Sequence, residues 1–570
     1  MSGVRGRSAR AAGKSYLLVP AGGDGEGVGH MMRCLRLAEQ LLDSGPRTPR
    51  PHVAFLASRM SEASQKVLRS QARNGGRRNR LKVLSSLQPG MHWDLILLDG
   101  RATSLEELRL LQARGPVVCL DEGGEARGAA SFLVDAIPRP ADASPANLRS
   151  LSFLELPPRS RRAVRWPPRK ILVSFGGEDR ENLSRNLLDA IFAQGLFPPS
   201  QVTVVEGPLF AVHEWPPGVV VLRHVTGLAA RISDYDAIFT HFGITALEAL
   251  ASGVPVILLN PGRYHSRLAK ESGIPDIGVL FPDLRALKRL LADGAGMRAA
   301  VDRFNAAANL RKKRPLAAAL GAMRPQGSHR CTVCGRQGNR VLARFADRTF
   351  RACSGCGVVY LESFASENMR YGARYFGAEY KAQYGRTYLQ DFQSIKSASL
   401  LRLGIIQTLL EKTPGGAIVD VGCAYGPFLS AARDAGLSAF GIDVSEEAVA
   451  HVRKKLAIPA LCSSFEEAKR RELPRRVSAL TFWYVIEHFQ DVDLVLRKAL
   501  DVLPAGGVLA FSTPNGRGIS ARKNLRLFLE QSPADHFTIF SPPDGRAWSP
   551  GPWGPQAGSW GWATPSRRTR

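Results

Sequence analysis

Short apolar runs recur along this chain, separated by stretches with helical spacing. Ser15–Pro20 (SYLLVP), His52–Ala57, Trp93–Asp99 (WDLILLD) and Pro116–Asp121 (PVVCLD) are the first four. Between the first two, Met31 to Leu42 places Leu35, Ala38, Leu41 and Leu42 on one helical face. Runs this short, bounded by turn residues and alternating with helical patterns, predict buried strands of a doubly wound parallel α/β sheet. A second set follows: Lys170–Gly177 (KILVSFGG), a helix through Leu188, Val202–Val205, Ala237–Thr240, a helix over Thr245–Ser252 and a strand over Val254–Leu259. A third starts at Gly416, with strands expected over Ala417–Val421, Ala439–Asp443, Val477–Glu487 and Gly507–Thr513. The pattern stops near residue 541. Ser541–Arg570 holds four Trp, six Pro and five Gly and no Leu, Ile or Val, so it is not expected to form a core element. No apolar run is long enough to cross a bilayer, so no membrane-spanning helix is expected.

These breaks divide the 570 residues into more than one core. The expected units are 15–156 and 171–320, two Rossmann-like halves joined by a basic Pro-rich linker over 157–170. A compact cysteine module over 329–362, a Tyr-rich connector over 363–400, a third Rossmann-like unit over 401–540 and a coreless tail over 541–570 complete the division. Two halves joined by a linker put a cleft between them.

Charge changes this picture little. The balance is 77 Lys and Arg against 50 Asp and Glu, or +27. Residues 1–80 supply 15 basic and 5 acidic side chains, and only 16 of the 77 basic residues are Lys. An arginine-heavy composition explains this without a polyanionic partner; the functional alternative is a phosphate-bearing partner such as a sugar nucleotide, an anionic lipid or RNA. The basic start of the chain lacks an apolar segment of signal-peptide type. Four of the eight cysteines sit scattered in apolar settings, which suits a reducing, cytoplasmic compartment.

Three places carry chemistry. Cys331-Thr-Val-Cys334 and Cys353-Ser-Gly-Cys356 flank residues 335–352, and each pair is followed by Gly. That spacing suits tetrahedral zinc, and with Cys331, Cys334, Cys353 and Cys356 filling every position the role is structural. Gly27-Val-Gly29-His30, between a strand and a helix, offers amides to an anion and a histidine, His30, to act as a general base. Ile418-Val-Asp420-Val-Gly422-Cys-Ala-Tyr-Gly426 runs from a strand into a glycine loop, and the next strand ends in Gly441-Ile-Asp443. A carboxylate at that place takes the ribose hydroxyls of an adenosine moiety.

The second of these places resembles a known family. G-x-G-H-x-x-R-C-L-x-L-A, Ile171-Leu-Val-Ser-Phe-Gly-Gly-Glu-Asp179 and the stretch ending Gly243-Ile-Thr245…Glu248…Gly253-Val-Pro255 resemble the UDP-sugar hydrolase of the pseudaminic acid pathway, a GT-B-fold enzyme. The last stretch is also similar to the lipid-II-forming N-acetylglucosaminyltransferase. The resemblance covers about residues 15–290. It implies His30 as the base, Glu248 on the ribose, backbone around Gly243–Thr245 at the pyrophosphate, and Gly29, Arg33 and Gly176 among the substrate contacts. His241 and His265 read as incidental. The lead-in at Asp24–Gly27 and the loop Gly262-Arg-Tyr-His265 depart from the family pattern, which leaves hydrolysis and glycosyl transfer both open.

The last place reads D-x-G-x-x-x-G rather than the G-x-G-x-x-G of dinucleotide binders. It resembles class I S-adenosylmethionine-dependent methyltransferases, as do Cys462-Ser-Ser-Phe465, Phe482-Trp-Tyr-Val-Ile-Glu-His488 and Leu503-Pro-Ala-Gly-Gly507. Ala424 stands where the family carries a glycine. The resemblance implies Asp420, Gly422 and Gly426 around the methionine part, Asp443 at the ribose, Ser464 and Phe465 at the adenine, and Glu487 and His488 toward the methyl acceptor. With the cysteine module and Tyr-rich connector, it is similar to the small-molecule methyltransferases of sugar and surface-glycan clusters. The family has seven strands and five are placed here, counting the one that runs into Cys462-Ser-Ser-Phe465. Asp535–Ser541 resembles the segment before the last two, and the tail then reads as a truncation or shift of frame.

The combined expectation is a GT-B-like pair, a zinc ribbon and a class I methyltransferase domain, taking a UDP-sugar, S-adenosylmethionine and structural zinc. An RNA-modifying zinc-ribbon methyltransferase and a non-catalytic nucleotide-binding scaffold are the alternatives.

Overall fold

The computed structural model describes residues 13–23, 29–43, 51–74, 81–140, 143–160, 162, 164–207, 209–210, 214–223, 225, 227–308, 315–366, 376, 380–410 and 415–541. The Asp24–Gly27 lead-in, most of 367–379 in the connector and the tail beyond Ser541 lie outside them. The chain divides into two compact units, Met1–Met323 and Arg324–Arg570.

The N-terminal unit contains two parallel sheets. The first has the order β3-β2-β1-β4-β5-β6-β7, with β1 Ser15–Pro20, β2 His52–Leu56, β3 Leu81–Leu84, β4 Leu95–Asp99, β5 Val117–Leu120, β6 Phe132–Asp135 and β7 Leu148–Arg149. The second has the order β10-β9-β8-β11-β12-β13, with β8 Ile171–Val173, β9 Val202–Glu206, β10 Val220–Arg223, β11 Ala237–Thr240, β12 Val256–Asn260 and β13 Asp276–Val279. Both carry helices in most of their crossovers, and in both the strand order reverses beside the first strand. The crevice at such a reversal, at the carboxyl ends of the strands, is where an α/β sheet binds ligands. The continuous apolar runs follow from burial on both faces: Leu17, Val19, Ile96, Leu98, Ile171 and Val173 are all inaccessible to solvent.

The basic block at 157–170 is anchored to the second half. Arg162 donates to Asp236 at 2.7 Å and Arg159 to Asp302 at 2.6 Å. The Trp166 indole N–H donates to the Leu291 carbonyl at 2.9 Å. Part of the excess positive charge is therefore already paired within the fold.

In the C-terminal unit a five-stranded parallel sheet has the order β20-β19-β18-β21-β22. Its strands are β18 Ala417–Val421, β19 Ala439–Asp443, β20 Ala460–Cys462, β21 Val477–Trp483 and β22 Val508–Ser512. Among the described residues this sheet ends at β22. The cysteine module is an antiparallel sheet of β14 Gln326–Gly327, β15 Arg340–Phe345, β16 Arg348–Ala352 and β17 Val359–Ser363. It does not stand alone. Asp535–Ser541 contains β23, Thr538–Ile539, which pairs antiparallel with β17. Cys331, Val333, Cys353, Val358 and Tyr360 share one core with Phe482, Val492, Val495 and Phe540. The backbone N–H of Asp493 donates to the Thr332 carbonyl at 3.1 Å. The ribbon and the parallel sheet thus form a continuous packed body.

Candidate functional sites

His30 lies in the first turn of the Gly29–Asp43 helix, whose buried stripe of Met31, Cys34, Leu35, Ala38, Leu41 and Leu42 fixes its roll against the first sheet. This orientation sets the His30 ring over the end of β4. Its Nδ1 is 2.7 Å from Oδ1 of Asp99, which is fully buried. With Nδ1–H donating to the carboxylate, Nε2 is left as the accepting nitrogen toward the cleft. Burial alone would raise the Asp99 pKa, but Arg33 and His30 hold it well below the usual carboxylate range.

Arg33, expected among the substrate contacts, lines the cleft but is also tied to two buried acids. Its Nε donates to Asp99 Oδ2 at 2.8 Å, and its two terminal nitrogens pair with Asp99 and Asp121. The guanidinium is held between these acids and its charge is neutralised by them. Asp121 is held in turn by the backbone N–H groups of Ala136 and Ile137, both at 2.9 Å. The runs ending in Asp99 and Asp121 were visible in the sequence; their convergence on Arg33 follows from the parallel order of β4 and β5.

Gly29, His30, Arg33, Gly176, Gly243 and Thr245 line one cleft of about 690 Å³, and Glu248 lines an adjoining one that shares Gly29, Arg33, Gly176 and Thr245. This is the size range of small-molecule sites. Gly176 has φ +93°, and a Cβ there would meet His241 at 3.4 Å. Gly243 opens the Ile244–Ser252 helix, whose first residues Ile244 and Thr245 line the cleft. Glu248, on the same helix, is 7% exposed and has Arg36 at 3.9 Å; burial raises its pKa. His241 and His265 are not incidental in position. Both line the cleft with ring centroids 6.1 Å apart, and burial lowers the pKa of His265 to about 4.

In the C-terminal unit the glycine loop follows β18. Gly422 has φ +71°, and a Cβ there would meet Val485 at 2.3 Å; Gly426 has φ +79°, and a Cβ would meet Leu456 at 2.8 Å. Only glycine fits either place. Ala424 takes φ +48°, a conformation costly for a residue with a Cβ. Its N–H donates to Asp443 Oδ2, and that of Ser445 to Oδ1, both at 2.8 Å. Each Asp443 oxygen keeps a lone pair for a further donor. Asp420 is 2% exposed and accepts from Thr481 Oγ1 at 2.6 Å. Burial pushes its pKa up to about 7, against the opposing pull of Thr481 and Arg402.

Two expected adenine contacts differ in environment. Ser464 is half-buried, and its hydroxyl accepts from the Glu467 N–H at 3.2 Å. Phe465 turns the other way: it is 1% exposed, packed edge-on to Phe482 at 5.5 Å. Its ring belongs to the core shared with the ribbon and offers no face to a ligand. Residues not singled out in the sequence lie beside the glycine loop instead. Tyr388, on the Tyr388–Leu410 helix, is half-buried and feels the charges of Asp420 and Asp443. With Phe376, Tyr425 and His451 it makes an aromatic cluster beside the loop, centroids 5.1–6.0 Å apart. Tyr residues in the connector were the only signal.

Glu487 and His488 follow β21 in a short turn, Ile486–His488. Glu487 is 1% exposed, and burial pushes its pKa up to about 7. Thr513 is near enough to favour its charged form, yet both carboxylate oxygens and the Thr513 hydroxyl make no hydrogen bond of normal geometry. His488 Nδ1 lies 3.1 Å from Asp535 Oδ2, and its ring is edge-on to His536 at 4.7 Å. Asp535 and His536 come from the segment that leads into β23.

The four cysteines converge. Cys331 and Cys356 sulfurs are 3.5 Å apart, as are those of Cys334 and Cys353, and all four lie within 4.8 Å of one another. Tetrahedral zinc with Zn–S bonds of about 2.3 Å needs sulfurs roughly 3.8 Å apart, so the donor set fits.

The family model of a methyltransferase domain matches residues 395–548, so the C-terminal unit carries a methyltransferase domain. Among curated proteins, the ubiquinone biosynthesis O-methyltransferase of Nitrosomonas europaea is 26% identical over 129 residues, 22% of this chain and 55% of that one. The same enzyme of Bordetella avium is 27% identical over 135 residues, 22% and 54%. The chain therefore spans about half the length of the curated relatives it matches. Among solved structures, the glycosyltransferase SnogD from Streptomyces nogalater aligns with 54% of this chain and 99% of its own, at 18% identity and TM-score 0.35. The plantazolicin methyltransferase BpumL in complex with SAH aligns with 29% and 60%, at 21% identity and TM-score 0.22. No helix among the described residues is long and apolar enough to cross a membrane.

Proposed function

We propose that this chain is a bifunctional enzyme of sugar-nucleotide and surface-glycan biosynthesis. Its C-terminal unit transfers a methyl group from S-adenosylmethionine. Its N-terminal unit acts on a UDP-sugar, as a hydrolase or a glycosyltransferase. The observation that carries the reading is the Asp443 carboxylate, fixed by two amides at the end of β19 beside a loop whose Gly422 and Gly426 admit no side chain. When bound, S-adenosylmethionine supplies an electrophilic methyl group on a sulfonium. Asp443 accepts from the ribose hydroxyls, Gly422 lets the backbone approach, and Asp420 faces the cationic methionine part. Glu487 and His488 stand toward the acceptor. The four cysteines hold structural zinc.

In the N-terminal unit, His30 accepts a proton from the attacking hydroxyl or water while Asp99 fixes its tautomer and stabilises the imidazolium. The Ile244–Ser252 helix start meets the pyrophosphate and Glu248 the ribose. A mass-spectrometric screen of UDP-sugars, with and without S-adenosylmethionine, tests both halves. UDP-sugar consumption and a mass gain of one methyl group are expected; a chain inert to all of them would sink the reading.

Two narrower outcomes concern single carboxylates. Glu248→Ala removes a charged acceptor from the ribose and is expected to weaken UDP binding about 10- to 100-fold, since such hydrogen bonds contribute roughly 1.5–3 kcal/mol. Calorimetric titration with UDP checks this, and unchanged affinity would remove Glu248 from the site. Asp420 carries the pH dependence. Its raised pKa means the folded apo chain holds a proton that the unfolded chain has lost between pH 4 and 7, so its contribution to stability falls over that window. The bound cation favours the carboxylate, so binding releases the proton. S-adenosylmethionine affinity should rise about tenfold from pH 6 to 8, and Asp420→Asn should abolish that slope. A flat profile in the wild type would exclude Asp420 from the cationic end.

A further inference from the structure

Glu487, His488 and His536 each present a ligating atom, and these atoms all lie within 4.8 Å of one another. They come from two segments distant in sequence, the turn after β21 and the approach to β23. Glu487 is almost wholly buried, and neither of its carboxylate oxygens makes a hydrogen bond of normal geometry, with Thr513 the neighbouring polar group. A buried carboxylate without well-formed donors is costly unless a cation compensates it. Asp535 engages Nδ1 of His488 at 3.1 Å, which fixes the orientation of the ring. A carboxylate on the far nitrogen is the usual outer partner of a metal-bound histidine. His536 stands edge-on to that ring at 4.7 Å.

We propose that Glu487, His488 and His536 form a site for one divalent cation, separate from the four cysteines, with Asp535 orienting His488. Two imidazoles and one carboxylate suit Mn²⁺, Fe²⁺ or Zn²⁺ and leave coordination positions open. The role of the cation rests on the methyl-transfer reading. A hydroxyl of the acceptor bound at an open position loses its proton to solvent more readily. Its oxygen then forms a bond to the sulfonium methyl carbon as the S–C bond breaks, and the sulfur leaves as a neutral thioether. The acceptor class is thus a hydroxyl compound, and methylation is on oxygen.

Manganese binding to the purified full chain, with its cysteine-bound zinc in place, tests the site. Free Mn²⁺ is read by electron paramagnetic resonance. One ion per chain is expected to bind. Glu487→Gln and His536→Asn, which alter different segments, should each weaken binding at least tenfold, and Asp535→Asn about 10- to 100-fold. S-adenosylmethionine binding serves as the check that each variant is folded, and two independent ligand variants keep the test open if one is not. No bound manganese in the wild type, or unchanged binding in both folded variants, overturns the site. Loss of the ion from variants that still methylate at the wild-type rate overturns its catalytic role and leaves methyl transfer standing. Manganese bound as expected in a chain that methylates nothing supports the site and counts against the methyl-transfer reading alone.

Discussion

Cys353→Ser, or chelation of the zinc proposed at the four cysteines, is expected to unfold the C-terminal unit rather than the cysteine module alone. The reason is packing. Cys331 and Cys353 are buried among Val358, Tyr360, Phe482, Val492 and Phe540, so the ribbon and the parallel sheet share side chains. β17 is bordered by β16 on one side, and on the other by β14 and β23, the latter from the far end of the unit. The Thr332 carbonyl accepts from the Asp493 amide, and the Thr332 hydroxyl is 2.6 Å from that of Thr538. Structural zinc contributes on the order of 10 kcal/mol in small zinc folds, and whole domains have net stabilities of about 5–15 kcal/mol. Losing the metal therefore removes most of what holds this body together. Hydrogen exchange read along the chain checks it: protection should fall in β15–β17 and in β18, β19 and β21 together. Loss confined to β14–β17, with S-adenosylmethionine affinity unchanged, would show that the ribbon is an independent module.

How much of this was legible in the sequence depended on range. The cysteine pairs were legible because a C-x-x-C turn is local and two such turns leave little choice of partner. The glycine loop and Asp443 were legible because strand, loop and next strand all fall within Ala417–Asp443. Side-chain direction was less so. Phe465 follows a strand in the place where an adenine contact belongs, but whether a ring there faces the cleft or the core is set by Phe482 behind it. Arg33 reads as a substrate contact in the family-like motif, with nothing local to show its acidic partners. The two carboxylates that neutralise it sit 66 and 88 residues away, and only the order β1-β4-β5 brings them together. The merging of ribbon and methyltransferase domain was invisible for the same reason: β17 and β23 pair across most of the length of the C-terminal unit. Asp535 and His536 were read as part of a family-like segment, yet nothing in their spacing placed them against His488.

His30→Ala should lower UDP-sugar turnover by about 10²- to 10⁴-fold, the usual contribution of a positioned general base. The side chain is partly exposed at the cleft, and its removal leaves Asp99 still paired with Arg33. Fold and UDP affinity should therefore be retained, and the loss should fall on kcat. Asp99→Asn should behave differently. The amide can hold the imidazole in the wrong tautomer, so turnover falls similarly. The change also takes one of two carboxylates from a largely buried guanidinium, whose pKa is raised because the pull of Asp99 and Asp121 outweighs its burial. Breaking such a buried pair costs about 3–5 kcal/mol, so this variant should lose thermal stability as well as activity. The contrast is the measurement: kcat and melting temperature for both variants side by side. A His30→Ala protein that turns over UDP-sugar near the wild-type rate would remove His30 from the chemistry. An Asp99→Asn protein that is inactive yet as stable as the wild type would mean that Asp121 alone satisfies Arg33, leaving Asp99 with a purely catalytic duty.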